Sequence, residues 1–140
     1  MKPVRKIIAT AAGPMSCLEW SASGGVTLLF AHANGFNALT YRTLLDPLAA
    51  GFRIIACDLR GHGLSPLPAQ PGFAKNWAIF RDDLLALAEA ISDDPVIFAG
   101  HSLGGTASFM AAAKSPENVH ALVLLEPVFL VPSPAGERGG

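Results

Sequence analysis

Cysteine is scarce. Cys17 and Cys57 are the only two in 140 residues, and both fall in apolar or strand-like stretches. Two are too few for a disulfide-built scaffold, so they read as reduced thiols in a core, with a disulfide between them left open. Charge is also sparse: charged residues make up 15% of the chain and the net charge is −1. That leaves no basic footprint for nucleic acid or for an anionic membrane surface. No run of 18 apolar residues occurs, so no membrane span is expected. Met1 to Cys17 carries basic residues but no continuous apolar core of a secretory leader, so a cytoplasmic location is expected. The four histidines, His32, His62, His101 and His120, lack metal-ligand spacing. No metal and no organic cofactor are expected. There is no internal repeat.

What the chain does have is apolar mass. Hydrophobic residues make up 51%, enough for a sizeable core, and the length is that of one domain. Residues 4–9 and 16–20 are short candidate strands around Ala11 to Pro14, and Ser21 to Gly25 signals a turn. Val26 to Ala31 is nearly all apolar, as in a strand buried on both faces of a parallel sheet. Tyr41, Leu44, Leu45 and Leu48 form a helical stripe. Pro47 falls inside it, and Asp46 could cap a second short helix there. Phe52 to Cys57 is the next strand, leading into Asp58-Leu-Arg-Gly-His-Gly-Leu-Ser65. Trp77, Phe80, Leu84, Leu87 and Ile91 predict an amphipathic helix, with Arg81, Asp82, Asp83 and Glu89 off its apolar stripe. A strand at 95–99, a helix from Leu103 to about Lys114 and a strand at 121–125 complete the pattern. From residue 26 the order is β-α-β-α-β-α-β. Such alternation means a mostly parallel sheet with helices on both faces, an α/β fold. Ligands in such sheets bind beyond the carboxyl ends of the strands. His32 to Phe36, Asp58 to Ser65, Ser102 and Glu126 all fall there.

The stretch that organises the rest is Pro95-Val-Ile-Phe-Ala-Gly-His-Ser-Leu-Gly-Gly105. It places a serine between a strand and a helix in the pattern G-x-S-x-G, a nucleophile elbow. Gly100 and Gly104 suit a turn in which a Cβ would clash or hold the helix off the strand. Ser102 then stands at a helix amino terminus, where free N–H groups favour developing negative charge. Alone, the motif would arise by chance in roughly one chain in ten of this length, and a plain glycine-rich turn would also fit it. The strand before and the helix after it carry the argument.

Three segments together, His32-Ala-Asn-Gly-Phe36, Asp58 to Ser65 and Gly100 to Gly105, resemble the amino-terminal half of an α/β-hydrolase of the serine branch. The likeness covers about residues 16–131. It implies a fold of eight strands, of which this chain supplies about six. Residues 1–131 would be a partial core, and 132–140 a Pro/Gly-rich tail where a lid would begin. By the same resemblance Ser102 is the nucleophile, and the backbone N–H groups of Leu103 and Asn34 are the oxyanion donors, with Ala33 or Gly35 as neighbours of the second. Glu126 is a candidate triad acid, its alternative being an exposed carboxylate near the pocket. The Asp58–Ser65 segment would be structural, its Asp and Arg tying the turn together. A serine nucleophile argues against the halide and epoxide branches, which use Asp.

A serine hydroxyl needs a general base. In this family the histidine follows the serine in the chain, and the only histidine after Ser102 is His120. It starts a strand about six residues long, which at ~3.3 Å per residue puts it roughly 20 Å from the catalytic edge. His101 flanks the nucleophile at a turn that points neighbours apart, and His32 would shape the oxyanion loop. So the family's histidine and last strands are absent. The strand at 121–125 is left with an open apolar edge suited to self-association. The expectation is a serine-dependent hydrolase of carboxylic esters or thioesters, acting on a small-molecule acyl substrate and weak or inactive as written. A cofactor-free peroxidase or acyltransferase on the same site, and an inactive fragment or binding module, remain alternatives.

Overall fold

The computed structural model describes residues 2–21 and 24–129. Six strands form one sheet: β1 (Val4–Thr10), β2 (Gly13–Trp20), β3 (Thr27–Ala31), β4 (Arg53–Cys57), β5 (Val96–His101) and β6 (Val119–Leu125). Their spatial order is β1-β2-β4-β3-β5-β6. β1 and β2 are antiparallel and β2 joins β4 antiparallel, whereas β4, β3, β5 and β6 are mutually parallel. The α/β reading with a mostly parallel sheet therefore holds. Three helices connect the strands: α1 (Arg42–Leu45), α2 (Ala78–Ile91) and α3 (Leu103–Lys114).

Strand periodicity divides the core. Leu29 and Ala31 of β3 face α2 and α3 together with Ile55, Cys57, Phe98, Leu84 and Ala107. Leu28 and Phe30 face the other way, against Tyr41, Leu45, Ile54 and Ile97. Both faces of the central strands are buried, which explains their unbroken apolar runs. Cover on the α1 side stops short of β6. There an apolar hollow of about 290 Å³ is lined by Leu28, Phe30, Leu48, Phe52, Ile97 and Val123, among others. Val123 and Leu125 remain 45% and 39% exposed, and β6 has no outer partner among the described residues.

Several local expectations change. β2 begins at Gly13 rather than residue 16, because the hairpin turn is only Ala11-Ala12 and pairing resumes at once, Thr10 opposite Gly13. β6 starts at Val119, two residues early. The stripe at 41–48 breaks before Pro47 into a second short helix, as expected, but hardly any of it is α-helical. It is a 3₁₀ turn at Ala38–Tyr41, the single α turn and a second 3₁₀ turn at Asp46–Ala50. Asp46 does not cap it: its carboxylate instead accepts the Trp20 indole N–H at 2.7 Å. Asp83, expected off the apolar stripe of α2, is buried in it, because Arg60 meets it with two parallel bonds at 2.9 and 2.8 Å. The expected tail at 132–140 lies outside the described residues.

Candidate active site

The carboxyl ends of β3, β4, β5 and β6 bring the site residues to one edge. At the end of β5 the backbone turns sharply into α3, and Ser102 occupies φ 54°, ψ −116°. Such a conformation is costly for a residue with a side chain and persists only where its surroundings enforce it. Two of those surroundings are visible. The Ser102 N–H donates to the Leu125 carbonyl at 3.0 Å, and the Ser102 carbonyl accepts from Thr106 N–H at 2.9 Å. A Cβ on Gly100 would lie 2.3 Å from the Gly104 carbonyl oxygen, and one on Gly104 would lie 2.1 Å from that of Ala31. Gly104 thus seats α3 against the end of β3 as well as behind its own strand. Leu103 opens the helix, and the first N–H groups of a helix have no intrahelical partner.

The loop after β3 is fixed by two histidines and a tyrosine. His32 is fully buried. Its Nε2 accepts the Leu59 N–H at 2.9 Å, so Nδ1 carries the hydrogen and donates to the Ala33 carbonyl at 2.8 Å. Burial pushes its pKa below the usual imidazole value, in keeping with that neutral tautomer. Tyr41 rises from beneath. Its hydroxyl accepts the Ala33 N–H at 3.0 Å and lies 2.7 Å from His101 Nδ1. The phenol's one hydrogen goes to His101 in the tautomer whose Nδ1 is unprotonated. Ala33 N–H is thereby engaged, leaving Asn34 and Gly35 of the three backbone donors considered for this loop. The Asn34 side chain meets His62 Nε2 at 3.1 Å, while His62 Nδ1 faces the Arg60 carbonyl at 3.1 Å. His32, His62 and His101 are thus each engaged in the loops, and His120 lies near the opposite end of β6, beside the Val96 end of β5.

Below these loops sits Asp58, which is buried. It accepts from Arg5 at 2.8 Å, Ala38 N–H at 2.9 Å and Leu64 N–H at 3.0 Å. One carboxylate so ties the first strand to both loops. Glu126 follows β6 at φ 47°, exposed, and Ser102 is the one other non-glycine residue with positive φ among the described residues. After it the chain runs back along α3, where the Thr106 hydroxyl donates to the Val128 carbonyl at 2.6 Å and accepts Val128 N–H at 2.8 Å. A groove of about 440 Å³ between Trp77, Phe109, Met110 and Phe129 does not include Ser102 or the loop after β3, so it is not assigned to the chemistry. Among the described residues no three His, Cys, Asp or Glu side chains gather as a metal would need, and no helix is long and apolar enough to cross a membrane.

Sequence reasoning missed the Tyr41 hydroxyl. The signal was there: it is the chain's only tyrosine, set in an apolar stripe, and a buried phenol usually finds a polar partner.

Comparison with known proteins adds three relatives. A 2-(acetamidomethylene)succinate hydrolase from Mesorhizobium japonicum is 36% identical over 73% of this chain and 36% of its own length. An epoxide hydrolase from Caballeronia sordidicola is 31% identical over 76% of this chain and 32% of its own length. The crystal structure of E-2-(acetamidomethylene)succinate hydrolase superposes with a TM-score of 0.75 and 29% identity, covering 86% of this chain and 43% of that one. The chain therefore spans less than half the length of these relatives. The sequence profile of the alpha/beta hydrolase fold matches residues 26–138, and the chain belongs to that family.

Proposed function

We propose that this chain carries the nucleophile and oxyanion donors of a serine-dependent hydrolase of carboxylic esters or thioesters. One observation carries the reading: Ser102 is held at φ 54°, ψ −116° between a strand and a helix, at the edge where the loop after β3 also ends. The related hydrolases differ in the bond they break, so likeness alone does not choose the reaction. The serine does. Its hydroxyl oxygen attacks an acyl carbon, and the carbonyl oxygen gains charge toward the N–H groups of Leu103 and Asn34. Losing one such donor costs ~3–4 kcal/mol in comparable sites. The leaving group departs to give an acyl-serine, which water then hydrolyses. The serine proton needs a histidine base that none of the four histidines here is placed to supply, and Glu126 is the candidate acid to orient such a base. Without it, binding and the oxyanion donors retain only ~10³–10⁴-fold catalysis over water.

Labelling tests the nucleophile directly. A serine-directed fluorophosphonate should add to the chain and map to Ser102, and Ser102→Ala should abolish the adduct. No adduct on a folded chain would favour a binding module. Fast ester turnover by the 140 residues alone would refute the missing base. In the longer protein, product analysis with peroxide or an alcohol acceptor present separates hydrolase from peroxidase and acyltransferase.

A further inference from the structure

The only two cysteines of the chain stand directly opposite each other on adjacent antiparallel strands, Cys17 on β2 and Cys57 on β4. The next pair along, Ser16 and Asp58, shares a ladder bond, Asp58 N–H to the Ser16 carbonyl at 2.9 Å. Bonded and non-bonded pairs alternate in an antiparallel ladder, so Cys17 and Cys57 form a non-bonded pair. In such pairs the Cα atoms approach to ~4.5 Å, inside the range a disulfide spans. Both side chains lie on the same sheet face, in the same core cluster. Each thiol at present points to a carbonyl, Cys17 Sγ to Met15 and Cys57 Sγ to Phe30, both at 3.9 Å.

From this register we propose that Cys17 and Cys57 are a two-electron redox site, closed to a cross-strand disulfide by a small-molecule disulfide. One cysteine, as thiolate, attacks the small disulfide and expels a thiolate that takes up its proton. The second cysteine then attacks the protein sulfur of the mixed disulfide and expels the second small thiol. Two protein thiols are oxidised and one small disulfide is reduced to two thiols. Both cysteines rotate about χ1 to meet. The bond would join β2 to β4 one residue from Asp58, the carboxylate that holds Ala38 and Leu64 N–H. Closure thus clamps the base of both loops at the site edge, independently of the reaction assigned to Ser102. Burial pushes Cys17 up to about 12 and Cys57 well above the usual thiol value; the Asp58 carboxylate adds to both, and Arg5 partly offsets it at Cys17. The native pair therefore reacts slowly at neutral pH, and faster as pH rises or as the β1–β2 hairpin opens.

The test equilibrates the 140-residue chain with defined mixtures of reduced and oxidised glutathione, folded and in denaturant. Each sample is quenched in acid, alkylated and weighed intact. The expected folded product is a monomer lighter by two hydrogens, unalkylated, reversible by excess reduced glutathione, and mapping to a Cys17–Cys57 peptide. Its equilibrium constant should exceed the denatured one by about 100-fold, the factor a typical stabilising disulfide implies. Two alkylated cysteines throughout, or equal constants folded and denatured, would overturn the proposal. Cys17→Ala should give at most a mixed disulfide with glutathione. The wild-type comparison decides even if that variant does not fold.

Discussion

Tyr41 joins two parts of the site that sequence treats separately. Its hydroxyl holds the Ala33 N–H of one loop and the ring of His101, the residue before Ser102. Tyr41→Phe leaves a buried N–H without an acceptor, which costs about 1–3 kcal/mol. Urea unfolding should show that loss, and fluorophosphonate labelling of Ser102 should slow in the folded variant. His32 gives a pH prediction. Its folded pKa lies below the unfolded value of about 6.5, so the unfolded state binds a proton that the native ring refuses. Its contribution is complete above that pH and is lost as pH falls below it. Stability measured from pH 7 downward should fall with a slope that flattens in His32→Gln. Ser102, Gly100 and Gly104 were legible because a strained turn admits so few residue types. Tyr41 was not, because its link to His101, 60 positions on, depends on how the 3₁₀ turn at Ala38–Tyr41 packs.

Elements were legible wherever one periodicity dominated. The apolar runs of β3, β4 and β5 and the stripe of α2 could be read directly, since burial on both faces or on one leaves an unambiguous pattern. The failures are polar residues whose partners lie far along the chain. Asp83 is tolerated inside the stripe of α2 only because Arg60 reaches it across 23 positions, and Asp46 was drawn from capping to Trp20. The seat of α3 yields the sharpest prediction at this scale. Gly104→Ala places a methyl against backbone of β3 that cannot swing aside, so it should destabilise by about 3 kcal/mol or more. Chemical denaturation measures it. A variant as stable as the parent would mean that α3 sits farther from β3.

At the scale of the molecule, the outer side of β6 is uncovered among the described residues. An edge strand with exposed apolar residues invites pairing with another strand. The chain should self-associate with rising concentration, and Val123→Lys should return it to monomer in sedimentation velocity. A parent that stays monomeric at high concentration would refute this. The parallel architecture and the shared edge were legible from the alternation of elements. The open edge of β6 followed from the resemblance, whereas the order of the strands did not, since it depends on which strands meet in space. That order also has a temporal side. β3 lies between β4 and β5, so Leu28 must wait for Ile97, 69 positions later, before its second ladder can close. Long-separation pairing of this kind is slow. On a ribosome, β3 and β4 would emerge and pair while one flank of β3 stayed bare through synthesis of the whole α2 segment. The newborn chain is therefore most exposed to chaperones, or to a neighbouring nascent chain, well before its serine has been made.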